Sequence, residues 1–400
     1  MLASTILWGV AATTASASSS RDVRAARRVL VVSLPGVAWE DVEAGEVPQL
    51  RRLLGRSAIA NLAVRVTGLT TTPGPGYLTL GSGTRAVASS GAAGLAFTAG
   101  ERVEGGSAAA AYERRSGRAL EGALGHLALA ALQRDNASSR FDATLGALGD
   151  RLADAGVARG VVGNADQARR APGVPAFPDV PRREVALALM DGRGEIPCGA
   201  VDQGLLVDDP TVPFGLRADA ERVVTAFERC WRDRSVVLVE ASDLRRAFDY
   251  RDLVSPERGE ELATHALEDA DALVGLLLAR IDLDRDAVVV VAPTSRPGAR
   301  AHLTLFAVHA PGLGTGLLES SVTRQDGFVS IVDVAPTIAA LAGAPLDLAE
   351  VEGRAVTVAR RGGSAASRLD AMVDANFPVA DRVAEALVPS SSPSFGVTTH

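Results

Sequence analysis

Four short, almost uninterrupted apolar runs constrain the fold of this chain more than any other feature. They lie at residues 28–34, 157–162, 235–240 and 287–291 and are rich in valine. Apolar runs of this length are typical of strands that are buried on both faces. Segments with a helical pattern separate them, and strands that alternate with helices favour a largely parallel sheet covered by helices on both faces.

The rest of the sequence predicts the helices and strands that lie between these four strands. We predict helices over residues 47–55, 144–156, 219–231, 259–280 and 332–343, and further strands over residues 58–66, 183–190, 204–207 and 303–308. Residues 86–139 are dominated by Ala, Gly, Ser and Arg, and we predict surface helices and a long loop there. Residues 241–258 are predicted to be a polar loop, residues 367–387 an amphipathic segment and residues 389–394 a linker or disordered tail.

Length and charge limit the classes of protein. The 400 residues suit one large α/β domain or two smaller ones. All 41 basic residues are Arg, and this bias by itself indicates no partner. The net charge of −7 argues against nucleic acid or an anionic membrane surface as the main partner.

The first residues and the two cysteines bear on the location of the protein. Residues 1–17 resemble a short signal-peptide core that ends at Ala15-Ser16-Ala17, although arginines follow the apolar run instead of preceding it, so a disordered leader or a misplaced start codon also fits. No later segment has the ~18 consecutive apolar residues that span a membrane. A disulfide between Cys198 and Cys230 suits an exported protein, and two separate buried thiols fit the sequence equally well.

The stretch from Thr70 to Arg85 begins as a helix begins. Hydroxyl side chains followed by Pro73 are typical of a helix start, because Thr can accept a bond from the first free N–H groups and Pro has no N–H there. Such a start also attracts phosphate or sulfate and can stabilise an attacking Thr alkoxide. From this stretch alone, Thr71 or Thr72 is a helix cap, with a nucleophilic Thr71 as the alternative.

Three stretches together resemble the alkaline phosphatase superfamily. They are Val31–Gly36, Thr71–Gly81, and the D-x-x-P-T helix of Asp333–Gly343. More closely, Pro35–Trp39 and the block Thr71–Ala86 resemble a group of bacterial envelope proteins of that superfamily. The resemblance covers residues 28–385 and implies a three-layer α/β/α sandwich with a largely parallel central sheet. We therefore divide the chain into a leader and linker (1–27), an alkaline phosphatase-like domain (28–365) and a C-terminal helix with a flexible tail (366–400).

The resemblance implies a nucleophile and two metal ions, and this sequence keeps only part of that set. Thr71 falls at the nucleophile position, with Thr72, Gly74 and Arg85 as candidate substrate-binding residues. The first metal Asp is replaced by Pro35, and an expected Asp-His pair is replaced by residues 293–295. What remains for a metal is Asp243 and His302. One carboxylate and one imidazole do not make a two-metal site.

Each remaining candidate also has a structural interpretation. Asp243 fits a loop turn or a helix cap, and His302 fits a partly buried ring at the start of a strand. Five arginines could converge on the same cleft and bind an anion without turning it over, or they could be scattered on the surface: Arg65, Arg85, Arg245, Arg246 and Arg324.

Three functions fit these observations. The leading one is an extracytoplasmic domain that has lost most of its metal ligands and serves as an anion-binding or scaffolding domain at the cell envelope. Its partners would be a phosphate- or sulfate-bearing small molecule or an envelope protein, with membrane association through the leader or a further C-terminal segment. The alternative is a phosphate- or sulfate-ester hydrolase that uses Thr71 and zinc or manganese, held by Asp243, His302 and further ligands that the resemblance does not locate. A periplasmic-type binding protein is the third, and the D-x-x-P-T helix counts against it.

Overall fold

One large mixed sheet with helices on both faces forms the body of the molecule. The computed structural model describes residues 21–22, 25–68, 70–168, 181–296, 303–359 and 362–375. The signal-like segment predicted at residues 1–17, His302 and the tail predicted at residues 389–394 lie outside these ranges. In chain order the described strands are β1 Arg21–Asp22, β2 Val29–Ser33, β3 Ala58–Ala63, β4 Ala96–Thr98, β5 Arg102–Val103, β6 Gly106–Ser107, β7 Leu124–His126, β8 Ala158–Val162, β9 Glu195–Ile196, β10 Cys198–Ala200, β11 Leu206–Asp208, β12 Leu216–Ala218, β13 Ser235–Glu240, β14 Ala287–Val291, β15 Thr304–His309, β16 Gly316–Glu319, β17 Phe328–Ser330 and β18 Thr357–Ala359.

The helices connect these strands. In the same ranges they are α1 Trp39–Ala44, α2 Pro48–Gly55, α3 Pro73–Ser82, α4 Ser90–Ala93, α5 Ala108–Ser116, α6 Leu129–Ala137, α7 Ala147–Asp154, α8 Ala220–Cys230, α9 Ser242–Tyr250, α10 Pro256–Leu278, α11 Val334–Leu341 and α12 at residues 365–375. Short 3-10 helices lie at Glu184–Ala188, Gln203–Leu205, Pro213–Gly215, Arg251–Leu253 and Ile331–Asp333. None of the helices in the described part of the chain is both long and apolar enough to cross a membrane.

The sheet has the strand order β1-β18-β16-β3-β15-β14-β2-β13-β8-β10, and β17 also pairs with β3. The run β14-β2-β13-β8-β10 is parallel, whereas β15 is antiparallel to both of its neighbours. Alternate residues of each central strand enter different cores: Val31 packs with α3, α7 and α11, and Val32 packs with α2, α8 and α10. The predicted three-layer α/β/α fold with a largely parallel sheet is therefore confirmed.

The register of the parallel strands places their carboxyl ends at one edge. Ser33 at the end of β2 is paired with Glu240 at the end of β13 and with Val291 at the end of β14. Ligands of open α/β sheets bind beyond this edge. The edge therefore defines where a functional site is to be sought.

The prediction of a strand at residues 183–190 is wrong, because Glu184–Ala188 forms a buried 3-10 helix. A short apolar run does not distinguish a buried strand from a buried helical segment. Here the backbone packs on α3: a Cβ at Gly81 would lie 2.6 Å from the Leu187 carbonyl oxygen. Gly81 therefore permits an approach that any larger residue would block.

Two other segments also differ from the prediction. The polar loop predicted at 241–258 contains α9, whose Leu244 and Phe248 enter the core while its charged residues pair along the helix. The segment 86–139 contains helices as predicted. It also contains strands of a small antiparallel sheet, β4-β7-β9, which packs around Phe97 and Tyr112.

A disulfide joins Cys198 of β10 to Cys230 at the end of α8, with Cα atoms 5.7 Å apart. It ties the edge strand to the helix layer and answers a question that the sequence left open. At the two ends of the described chain, β1 pairs with β18, and the Asn61 side chain of β3 donates to the Met372 carbonyl oxygen of α12.

Candidate functional site

Polar side chains gather at the carboxyl ends of β2, β8 and β13, where most of them are buried. We call this group the strand-end network. The strands contribute Ser33 and Glu240, and α3 contributes Tyr77. The other members come from the segments that follow β8 and β13 and from the start of the 3-10 helix Glu184–Ala188. They are Asp166, Arg183, Glu184, Ser242, Asp243 and Arg246.

Tyr77 occupies the centre of the network and is fully buried. Its hydroxyl donates to the Glu240 carboxylate and therefore accepts from Ser33, whose Oγ lies 2.7 Å away. The Ser242 hydroxyl donates to the other Glu240 oxygen at 2.6 Å. Burial raises the pKa of Glu240, and burial together with the nearby Glu240 charge raises the pKa of Tyr77 well above its usual value. Tyr77 thus stays protonated and acts as a hydrogen-bond donor.

Arg183 forms the second part of the network, and its side chain is completely buried. It donates to both Glu101 oxygens at 2.7 and 2.8 Å and to Asp166 at 2.8 Å. The neighbouring Glu184 forms no ion pair with another residue in the part of the chain that the structure describes. Burial raises the pKa of Glu184 to about 7, although Arg245 acts in the opposite direction. This carboxyl group therefore titrates near neutral pH.

Thr71 is placed at the start of α3, as predicted, and is only 3% exposed. Its hydroxyl donates to the Val64 carbonyl oxygen at 2.6 Å. Its N–H donates to the Ser295 hydroxyl at 3.0 Å, and the Ser295 N–H donates back to the Thr71 carbonyl at 2.9 Å. In this geometry the hydroxyl proton points to a backbone carbonyl, which cannot act as a general base.

The helix start itself offers few donors to an anion. Thr72 is the N-cap residue, is exposed and makes no side-chain capping bond. Pro73 and Pro75 have no N–H, and the Gly76 N–H already donates to the Thr72 carbonyl at 3.1 Å. Only the Gly74 N–H remains among the first four helical residues. A Cβ at Gly74 would lie 2.7 Å from the Ala93 Cβ, so this glycine allows α4 to approach.

Asp243 lies in the first turn of α9 and is paired with a cation of the same helix. Arg246, which is almost completely buried, donates to its carboxylate at 2.6 and 3.0 Å, and the Ala218 N–H donates at 3.1 Å. Thr71 and Asp243 have no hydrogen-bond partner in common within the described chain. His302 falls outside the described residues.

The five candidate arginines do not share a partner. Arg85 pairs with Glu352 at 2.7 Å and Arg245 with Asp249 at 2.8 Å, while Arg246 pairs with Asp243. Arg65 and Arg324 are exposed. Across the described ranges, no group of three or more His, Cys, Asp or Glu side chains could hold a metal ion.

Sequence reasoning missed Tyr77, Glu184 and Glu240. A signal for Glu240 was present, because it is the last residue of the run 235–240, and the carboxyl ends of parallel strands meet at one edge of the sheet. No comparable signal marks Glu184, which lies in the segment that was wrongly predicted to be a strand.

Solved structures similar to this chain include members of the alkaline phosphatase superfamily. A protein of that superfamily from Vibrio parahaemolyticus is similar with a TM-score of 0.48 and 13% identity, over 84% of this chain and 72% of that chain. The lipoteichoic acid synthase LtaP from Listeria monocytogenes gives 0.45 and 11%, over 90% and 92%. Alkaline phosphatase from the Antarctic bacterium TAB5 gives 0.43 and 9%, over 80% and 99%. One of these similar structures is described as a member of the superfamily that the motifs resemble.

The sequence matches no protein-family model and no curated protein.

Proposed function

We propose that this chain is an alkaline phosphatase-like domain outside the cytoplasm that binds or scaffolds without hydrolysing an ester. One observation carries the proposal: three of the four carboxylates in the strand-end network are already compensated within the chain. Asp243 is paired with Arg246, Asp166 with Arg183, and Glu240 with two hydroxyl donors.

The energetic reason concerns what a metal ion would have to displace. A divalent cation needs several unpaired oxygen or nitrogen ligands around one point. To bind Asp243 it would have to displace Arg246, and a buried guanidinium without its carboxylate is strongly unfavourable. Activation of Thr71 would also require its hydroxyl to leave the Val64 carbonyl.

The disulfide supports a location outside the cytoplasm, because such bonds form and persist in oxidising compartments. The leader predicted at residues 1–17 agrees with this location. Partners of the proposed domain are a phosphate- or sulfate-bearing small molecule or an envelope protein.

The test compares the binding domain with the ester hydrolase. Purified protein is incubated with zinc or manganese, desalted and analysed for metal, and hydrolysis of p-nitrophenyl phosphate and p-nitrophenyl sulfate is measured. We expect no stoichiometric metal and the same background rate for wild type, Thr71→Ala and the control Thr70→Ala, which removes a neighbouring exposed hydroxyl. Stoichiometric metal with turnover that Thr71→Ala abolishes and Thr70→Ala retains would establish the hydrolase instead.

A further inference from the structure

A cavity of about 350 Å³ lies in the small subdomain formed around β7, away from the strand-end network. We call it the arginine cavity. Helix α5, helix α6 and the turn at residues 192–193 enclose it. The larger polar side chains in its lining are Tyr112, Arg115, Arg118, His126, Gln133 and Arg193. It shares no residue with the strand-end network.

Three guanidinium groups line this cavity, and no carboxylate of the described residues does. Arg115 is committed to Glu104 and to the Leu127 carbonyl at 2.8 Å. The Arg193 Nη1 atom lies 3.8 Å from Glu121 Oε2. These side chains are 57% and 79% exposed, so the ion pair is weak. The Arg118 side chain has no hydrogen-bond or ion-pair partner within the described part of the chain. Two of the three cations are therefore available to a ligand.

Nearby carboxylates have partners of their own. Glu104 accepts from both Arg115 and Arg114, and these hydrogen bonds lower the pKa of Glu104. Glu195 is buried and accepts from the Tyr112 hydroxyl at 2.9 Å and from two backbone N–H groups. Neither carboxylate is left to neutralise Arg118 or Arg193.

The rest of the wall is neutral and partly apolar. Burial lowers the pKa of His126 to about 4, so its ring is uncharged at neutral pH. Its Nε2 lies 3.1 Å from the Ala93 carbonyl oxygen and therefore carries the proton. Leu129 and Ala130 of α6 add apolar surface. A few polar groups on an apolar wall are typical of small-molecule sites of this volume.

We propose that the arginine cavity binds a small organic molecule with an oxyanion group, which Arg118 and Arg193 hold, and a ring that packs against Tyr112 and Leu129. The planar guanidinium fork matches phosphate, sulfate and carboxylate oxygens in two-point hydrogen bonds. A dianion gains more from two guanidinium groups than a monoanion does. The site is separate from the start of α3, so it does not depend on whether Thr71 is catalytic.

Phenyl phosphate is the probe, and the full chain is titrated with it by calorimetry at low salt. We expect one saturable site that weakens as salt is added, weaker binding of benzoate and inorganic sulfate, and no binding of phenol. Arg118→Gln and Arg193→Gln are each expected to weaken binding about tenfold or more. Arg114→Gln is the matched control, because Arg114 lies on α5 four residues before Arg118 and pairs with Glu104 but does not line the cavity.

Three results would overturn the proposal: no binding by wild type, equal binding of phenol, or unchanged binding by the Arg118→Gln/Arg193→Gln double variant. The variants alter exposed side chains, and far-UV circular dichroism verifies that they fold. Thr71→Ala is titrated in parallel and is expected to bind normally. If Thr71→Ala loses binding and the double variant keeps it, the anion sits at the start of α3. That result removes the arginine cavity as the site and leaves the proposed binding domain in place.

Discussion

Arginine side chains have opposite surroundings in the strand-end network and in the arginine cavity. Arg183 and Arg246 are buried, and each meets carboxylate and backbone oxygens within hydrogen-bond distance. Arg118 and Arg193 are exposed and line a cavity to which no acidic side chain of the described ranges contributes. The first arrangement stabilises the fold, because removal of either partner leaves a buried charge. The second contributes little to stability and leaves its charges available to a ligand.

The same contrast explains why we place binding away from the edge of the sheet. At the strand ends, the donors of Tyr77, Ser242 and Arg246 are directed at acceptors of the chain itself. A ligand there would exchange existing hydrogen bonds for new ones, with little net gain. In the arginine cavity the Arg118 side chain has no partner within the described residues, so a ligand there would displace no hydrogen bond of that side chain.

The largest expected effect is the loss of the buried guanidinium. Arg183→Met leaves Asp166 and Glu101 without their cation, and we expect the free energy of unfolding to fall by about 3–5 kcal/mol. Arg118→Met makes the same change in the arginine cavity and is expected to alter stability by about 0.5 kcal/mol or less. Urea unfolding at pH 7 measures both. Equal losses in the two variants would show that the two regions do not differ in this way.

The second effect is a dependence of stability on pH. The pKa of Glu184 is about 7 in the folded protein and 4.5 for a free side chain, so the folded state binds the proton more tightly. The free energy of unfolding should therefore fall as pH rises from about 4.5 to about 7, by about 3 kcal/mol from this group.

Glu184→Gln should remove that part of the slope, so the variant gains stability relative to wild type as pH rises. Glu240, whose pKa burial also raises, keeps its own contribution in the variant. Urea unfolding at intervals from pH 4 to pH 8 measures the difference. A difference between variant and wild type that does not change with pH would contradict the raised pKa.

The smallest of the three effects concerns a single hydroxyl. Tyr77→Phe removes the donor to Glu240 and the acceptor for Ser33, and we expect a loss of about 1–3 kcal/mol. Tyr250→Phe is the matched control, because Tyr250 packs edge-on against Phe214 and no hydrogen bond joins its hydroxyl to another described residue. Thermal and urea unfolding of both variants decide the point. A neutral Tyr77→Phe would mean that Glu240 does not need this donor.

Much of the fold could be predicted because its signals are local. The valine-rich runs gave the central strands, and Pro and Gly marked the ends of α2 and α11 within a few residues. The sequence did not distinguish a strand from a 3-10 helix at Glu184–Ala188, because both bury a short apolar run. The sequence also did not reveal α9, because the charged residues that pair along the surface of this helix are equally typical of a polar loop.

The candidate site was predicted only in part. The sequence placed Thr71 at a helix start and Asp243 just after a strand, as the structure does. Their roles as catalytic residue and metal ligand remain predictions, as do those of Thr72, Gly74, Arg85 and His302.

By itself, the sequence determined the layer architecture, because apolar periodicity sets which elements form and which faces they bury. Only the tertiary structure decided which charges are compensated. The partners of Arg183, Glu240 and Asp243 include residues from other elements of the chain, and the sequence pattern does not encode those meetings. The same holds for Arg118. Nothing in the sequence distinguishes it from the other arginines, and only the fold places it beside a cavity.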